Sequence, residues 1–214
     1  KALFYREPLS RFLSAFLFSC RGEQKWRWMC ADIFGSSEAS FSAAVATLHT
    51  VGGTAERDEH VRPQSDFCGG RLRDTLHRYG TVVELDPSSS RTHVRALLGE
   101  YVAEDGAVRS AFDRLFPPDG KLQHGHDTHA HERVYEFYSA EDPALVGAVI
   151  DFYYRDYIVF HIEPPTFAME ILRNLTNEDK FSKDKMRELE KIVSTNFLLK
   201  SPKEIAPSSD GRIQ

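Results

Sequence analysis

Phe4-Tyr5-Arg6-Glu7-Pro8-Leu9-Ser10-Arg11-Phe12-Leu13-Ser14-Ala15-Phe16 is the stretch on which the fold turns. Ala2 to Tyr5 is a short apolar run, broken by Arg6-Glu7-Pro8. Proline suits the first position of a helix, where its missing N–H has no partner to lose. Leu9, Phe12, Leu13, Phe16 and Leu17 then recur at i, i+3, i+4, i+7 and i+8, one apolar face of an amphipathic helix. A strand thus delivers the chain into a helix N-terminus. The first N–H groups of a helix lack an intrahelical acceptor and the dipole favours an anion there, so unpaired donors are expected at this point. Arg6 stands at the turn and can offer a forked guanidinium to phosphate. Ser10, Arg11 and Ser14 lie off the apolar face and can line a groove. Taken alone, the same pattern also fits a surface helix with snorkelling arginines and solvated serines.

Working outward, Arg21 to about Ile33 reads as a loop that packs through Trp26, Trp28 and Met29. Phe34 to Leu48 reads as a helix, and Val51 to Arg62 as a polar connection through Gly52-Gly53. Leu72 to Tyr79 reads as a helix, and Thr81 to Leu85 as a strand ended by Asp86-Pro87. Ser88-Ser89-Ser90 can cap a helix over Arg91 to Leu98. Another helix is expected over Ala107 to Leu115, stopped by Pro117-Pro118. After a histidine-rich loop, Lys121 to Thr128, helices are expected over Glu132 to Phe137, Ala144 to Phe160 and Asn177 to Leu199. The class is α/β and helix-rich. Residues 1–165 read as one domain, 166–200 as a helical extension and 201–214 as a disordered tail.

Composition narrows the function. The 214 residues carry a net charge of −5, with 41% apolar and 28% charged residues, which suits one folded domain. No basic run is present, which argues against nucleic acid as a partner. No apolar stretch nears the roughly 20 residues of a membrane span, and the first residues are no signal peptide. A start without methionine reads as a fragment, with any membrane anchor upstream. Cys20, Cys30 and Cys68 show no zinc spacing; buried free thiols and one disulfide plus a leftover thiol both fit.

The pattern R-[DE]-P-x-x-R-x-x-S-x-F after an apolar strand resembles the 3′-phosphate motif of the Golgi carbohydrate sulfotransferases. Two later stretches agree in order: His60-Val61-Arg62-Pro63-Gln64-Ser65-Asp66-Phe67-Cys68 resembles the family's H-x-x-P-Q-x-x-x-C, and Tyr153-Tyr154-Arg155-Asp156-Tyr157-Ile158-Val159-Phe160 its Y-x-x-D-[YF]-x-x-F. Glu7 stands where the family has aspartate, and Val61 where it has tryptophan. The resemblance covers about Leu3 to Phe160. It implies a P-loop-like sulfotransferase fold with a central parallel sheet, missing its first βα unit. It implies PAPS (3′-phosphoadenylyl sulfate) as co-substrate, without a metal, and a glycan hydroxyl as acceptor. It places the protein in the Golgi lumen as a single-pass type II membrane protein. Arg6 and Ser14 would bind the 3′-phosphate with help from Arg11.

Sulfuryl transfer also needs a cradle for the 5′-phosphosulfate and a base for the acceptor hydroxyl. No Gly-rich or Lys-Ser/Thr loop precedes a strand–helix pair in this sequence, and the family carries that loop before the 3′-phosphate motif. The isolated chain is therefore expected to bind PAPS weakly and not to turn over. His60 is the candidate base, since histidine as a residue type suits acid–base work near neutral pH, although a structural hydrogen bond also explains it. Arg62 could contact an anionic sugar or face solvent. His126, with Thr128, matches a family His-x-Thr near acceptor or nucleotide. His124, His126, His129 and His131 crowd one loop but match no zinc motif. Asn174-Leu175-Thr176 is a glycosylation sequon. The competing functions are a P-loop nucleotide kinase and a non-catalytic interaction module on the same fold.

Overall fold

The computed structural model describes residues 1–50, 58–85, 90–99, 103, 105–117 and 128–200, apart from the side chains of Lys25 and residues 197–200. The histidines at 124 and 126, the serines at 88 and 89, the connection through Gly52-Gly53 and the tail at 201–214 lie outside the described residues.

Strand β1 (Ala2–Tyr5) pairs in parallel with β2 (Thr81–Glu84), from Ala2↔Thr81 to Tyr5↔Glu84. Backbone bonds continue the pairing at both ends, Gly80 N to Lys1 O (3.0 Å) and Leu85 N to Tyr5 O (2.6 Å). Parallel strands need a long crossover, and here it carries most of the site. Directly after β1 comes helix α1 (Pro8–Phe16), with Pro8 at its first position as the sequence implies. Its apolar face is fully buried: Leu9, Phe12, Leu13 and Phe16 are 0% exposed.

Beyond Phe16 the chain widens into a π-helical turn, Leu17–Arg21. Helix α2 (Arg27–Phe34) follows where a loop was expected, and Gly35 (φ 76°) stops it in the left-handed region that glycine adopts freely. That stop corrects the expected helix over Phe34 to Leu48, which is confined to α3 (Phe41–Thr47), capped by the Ser40 side chain on Ala43 N. Leu72 to Tyr79 is only one α-helical turn, α4 (Leu72–Thr75), followed by a 3-10 turn. Helices α5 (Ser90–Leu98) and α6 (Gly106–Leu115) sit close to their expected spans.

Helix α7 (Ala130–Ser139) lies on α1, its buried Tyr138 hydroxyl donating to Leu9 O at 3.1 Å. The expected helix over Ala144 to Phe160 is two helices, α8 (Pro143–Phe152) and α9 (Tyr154–Phe160), broken at Tyr153 (ψ 11°). Its period was continuous, but Tyr153 and Asp156 turn inward to polar partners described below. The remaining helices are α10 (Thr166–Asn177) and α11 (Lys183–Lys200). The helix expected over Asn177 to Leu199 corresponds to α11, which starts only at Lys183, and α10 precedes it with Asn177 alone inside the expected span. Gly147 lets α10 lie close on α8: a Cβ there would meet Leu175 Cδ1 at 2.6 Å. Leu172, Leu175, Met186 and Leu189 join the same core as α1.

The centre of that core is aromatic. Phe12 meets Phe34 and Phe41 at 6.0 and 5.7 Å, and Phe41 meets Phe16 and Tyr138 edge-on at 5.2 and 5.1 Å, geometry that ring quadrupoles favour. A disulfide joins Cys20 in the π turn to Cys30 in α2, leaving Cys68 as an exposed free thiol. Among the described residues no helix is long and apolar enough to cross a membrane. Closing a loop of this length removes unfolded-state entropy worth about 2.5–3 kcal/mol. A Cys20→Ser, Cys30→Ser variant should therefore lose about that much stability in denaturant titration. An unchanged midpoint would show that the bond does not constrain the unfolded chain.

Candidate active site

The site is built on α1. Glu7 caps the helix: its Oε1 accepts from Leu9 N (3.0 Å) and its Oε2 from Ser10 N (2.6 Å). Tyr157 donates its hydroxyl to Glu7 Oε1 as well, at 2.8 Å. This corrects the expectation of unpaired N–H donors at the helix start. Glu7's own carboxylate takes two of them, so an anion beside this helix has to be held by side chains. Burial pushes the Glu7 carboxyl above its ordinary range, against the pull of the Ser10, Leu9 and Tyr157 donors.

A strap, Asp58–Phe67, runs along α1 in the opposite direction and is pinned at successive heights. At the Arg6 end, the Gln64 side chain bonds both sides of the Arg6 peptide: Arg6 N to Oε1 (3.0 Å) and Nε2 to Arg6 O (2.9 Å). In the middle, Arg11 donates Nη1 to Arg62 O (2.8 Å) and Nη2 to Glu59 O (2.6 Å). Its guanidinium and that of Arg62 both approach the Phe67 ring, at 5.8 and 4.9 Å. At the far end, the His60 ring stacks on Phe18 at 6.5 Å.

Helix α9 locks the strap from behind. Asp156, 0% exposed, accepts from Ser65 N through Oδ1 (2.7 Å) and from Gln64 N through Oδ2 (2.8 Å). The buried Tyr153 hydroxyl donates to Val61 O. Desolvation raises the Asp156 carboxyl, while the Ser65 and Gln64 donors and the Arg11 charge oppose that rise. Burial likewise pulls the Arg11 guanidinium down, with Tyr153 and Asp156 opposing.

The candidate residues therefore fall at three places. Arg6 lines a cavity of about 350 Å³ with Glu7, Ser10, Glu84, His131 and Tyr135, between α1, β2 and α7. One turn past Ser10, the Ser14 hydroxyl accepts from Thr128 Oγ1 at 3.0 Å, which brings the end of the histidine-rich loop over α1. At the strap's far end, His60 Nδ1 lies 3.0 Å from Asp58 Oδ1, whose oxygen also accepts His60 N at 2.8 Å. That engages Nδ1 and leaves Nε2 as the ring's other nitrogen, the base-and-orienter arrangement of acid–base sites. Arg11 and Arg62 sit between, Arg11 with both terminal nitrogens on backbone carbonyls. His129 and His131 pair with Glu132 at 3.6 and 3.5 Å. No group of three metal-ligating side chains occurs among the described residues.

Residues 1–162 match the profile of the sulfotransferase family. The chain belongs to that family. No curated protein and no solved structure matches it. The family assigns sulfuryl transfer in general, usually with PAPS as donor. In this sulfotransferase the β1–α1 turn, the strap and α9 are the three motif stretches, now seen to be hydrogen-bonded to one another. Sequence reasoning quoted Glu7, Gln64, Tyr153, Asp156 and Tyr157 without giving them work, and passed over Asp58. The carboxylate two residues before His60 was the one visible signal.

Two stability measurements probe this lattice. Asp156→Asn keeps one acceptor and turns an N–H₂ toward a backbone donor, so it should cost about 2–3 kcal/mol; a loss under about 0.5 kcal/mol would mean the strap does not depend on it. Glu7 tests the pH sign. Its folded pKa lies above the unfolded value, so its share of stability is complete below the ordinary carboxylate range and is lost as pH climbs through the raised value. Glu7→Gln has no such titration. The melting temperature of the wild type relative to Glu7→Gln should therefore fall as pH rises out of the ordinary carboxylate range, and a rise instead would contradict the raised pKa.

Proposed function

We propose that this sulfotransferase moves a sulfuryl group from PAPS to a hydroxyl of a glycan, on a P-loop-like α/β fold. In this reading it works in the Golgi lumen, touches a membrane only through an upstream anchor, and has no nucleic-acid partner. The observation that carries the reading is the strap pinned along α1, which brings the phosphate-type residues of the β1–α1 stretch and the strap's histidine–carboxylate pair along one side of the same helix.

The residues fit a nucleotide with a 3′-phosphate. Arg6 opens on a cavity walled by Tyr135 and Phe167, whose rings pack edge-on at 5.5 Å. Bound there, PAPS supplies the activated sulfuryl group and a 3′-phosphate handle. Because Glu7 occupies the helix-start donors, recognition of that phosphate falls to the Arg6 guanidinium and the Ser14 hydroxyl. Arg11 helps at one remove, by holding the strap.

Transfer between two oxygens in line depends mostly on positioning and charge stabilisation. His60 takes the proton of the acceptor hydroxyl at Nε2 while Asp58 holds Nδ1 and steadies the imidazolium that forms. In this reading Arg62 contacts the acceptor, and so does His126, which lies outside the described residues. The cradle for the 5′-phosphosulfate comes from residues other than these.

Calorimetric titration of adenosine 3′,5′-bisphosphate tests the clamp. Binding is expected, weakened at least about tenfold by Arg6→Ala with Ser14→Ala, which corresponds to one charge-assisted contact. AMP, lacking the 3′-phosphate, should not reproduce it. Equal affinity for the two nucleotides, or no effect of the double substitution, refutes the assignment.

A further inference from the structure

A π-helical turn, a disulfide and three rings meet at the His60 end of α1. π turns are rare and gather at functional sites. The turn Leu17–Arg21 carries Phe18, which is half-buried. Phe18 packs on the half-buried Trp26 at 5.4 Å with planes 40° apart, and stacks on His60 at 26°. Phe18 and Trp26 stand outside the continuous core. Large rings left out of a core usually move, yet these are held. Cys20 lies two residues after Phe18 and Cys30 four after Trp26, so the Cys20–Cys30 bond fixes one ring against the other. Fixing half-exposed rings in advance lowers the ordering cost of whatever binds them. Trp28, two residues on, is 59% exposed.

We propose that Phe18 and Trp26 form the platform on which a pyranose ring of the acceptor glycan stacks, beside His60. The proposal rests on the reading of His60 as the acceptor base. One face of a pyranose is a patch of C–H bonds, which meets the electron-rich face of an aromatic ring favourably, while its hydroxyls stay free for hydrogen bonds. A ring seated on Phe18 sets its edge against the stacked imidazole, whose Nδ1 is engaged by Asp58. The platform is continuous with the clamp. Ser10, Ser14 and Phe18 follow at four-residue steps along α1 and its π turn, so Phe18 lies about 6 Å past Ser14 along the helix axis. Donor clamp and acceptor platform are thus successive turns of one helix. Phe18 and Trp26 are specificity-determining residues here, and Asp58 a positioning residue.

Trp26 and Trp28 are the protein's two tryptophans, so intrinsic fluorescence reads the platform directly. Unsulfated hexasaccharides of heparosan, chondroitin and poly-N-acetyllactosamine are titrated into the disulfide-intact protein. At least one should change the emission saturably. The change should persist in Trp28→Phe and disappear in Trp26→Phe. Phe18→Leu keeps the bulk and removes the ring face, so affinity measured by calorimetry should fall about tenfold, with far-UV circular dichroism unchanged. Unaltered affinity in Phe18→Leu overturns the platform, as does the lack of a saturable response to any hexasaccharide. Adenosine 3′,5′-bisphosphate binding that Arg6→Ala abolishes, without a glycan response, overturns the platform and leaves the nucleotide clamp standing. Glycan binding that needs Phe18, with no nucleotide binding, upholds the platform and removes the transfer chemistry.

Discussion

The buried carboxylate of Asp156 holds two backbone N–H groups of the strap, and the candidate site depends on that grip. A charge at 0% exposure is costly unless its lone pairs are fully engaged. Here both oxygens accept from the backbone, and the Arg11 guanidinium lies close enough to oppose the cost electrostatically. The strap has no strand or long helix of its own between Asp58 and Phe67, only a 3-10 turn at Gln64–Asp66. Its backbone groups therefore look outward for partners. Asp156, Tyr153 and Arg11 supply them, and the strap keeps one course along α1.

Arg11 shows how such a constraint reassigns a residue. Its place in the motif suggests a hand on phosphate, but in the fold it is 8% exposed and its terminal nitrogens meet two carbonyls. A guanidinium has a planar fork of donors and cannot deprotonate, so it can bridge two carbonyls where a lysine could reach only one. The same rigidity passes to both neighbours. Gln64 stands two residues beyond Arg62 and fixes the Arg6 peptide; His60 stands two before it and meets Phe18.

How much was legible follows from range. The strand, the turn and α1 were readable because proline placement and 3.6-residue periodicity are local signals, and β2 because its apolar run ends at a proline. The break at Tyr153 was not, since Leu145, Val149, Phe152 and Asp156 keep a helical spacing across it; the cause is the reach of Tyr153 and Asp156 to partners about ninety residues away. Gly35 was a visible stop that the apolar pattern on either side obscured. Arg6 and Ser14 were found by spacing and His60 by motif. What joins them, the Gln64 clasp and the Asp58 pair, arises from side chains meeting main chain and leaves no period behind.

In the proposed reading a carboxylate stands at the start of the phosphate-clamping helix, which looks self-defeating, and its geometry resolves the conflict. Glu7 turns its charge inward, onto two amide N–H groups and the Tyr157 hydroxyl, where the helix's partial positive charge lies. Carboxylate and helix end largely cancel, and the Arg6 guanidinium stands at the turn beside that helix end. A backbone nest would accept any anion of the right size. The proposed clamp of one guanidinium and a hydroxyl two turns along the helix would require an anion at a set place between them, so Glu7 would trade general anion attraction for selectivity in position. On a chain of net charge −5, where long-range attraction for a polyanionic nucleotide is weak, the proposed clamp would draw its affinity mainly from the short-range fit of Arg6 and Ser14.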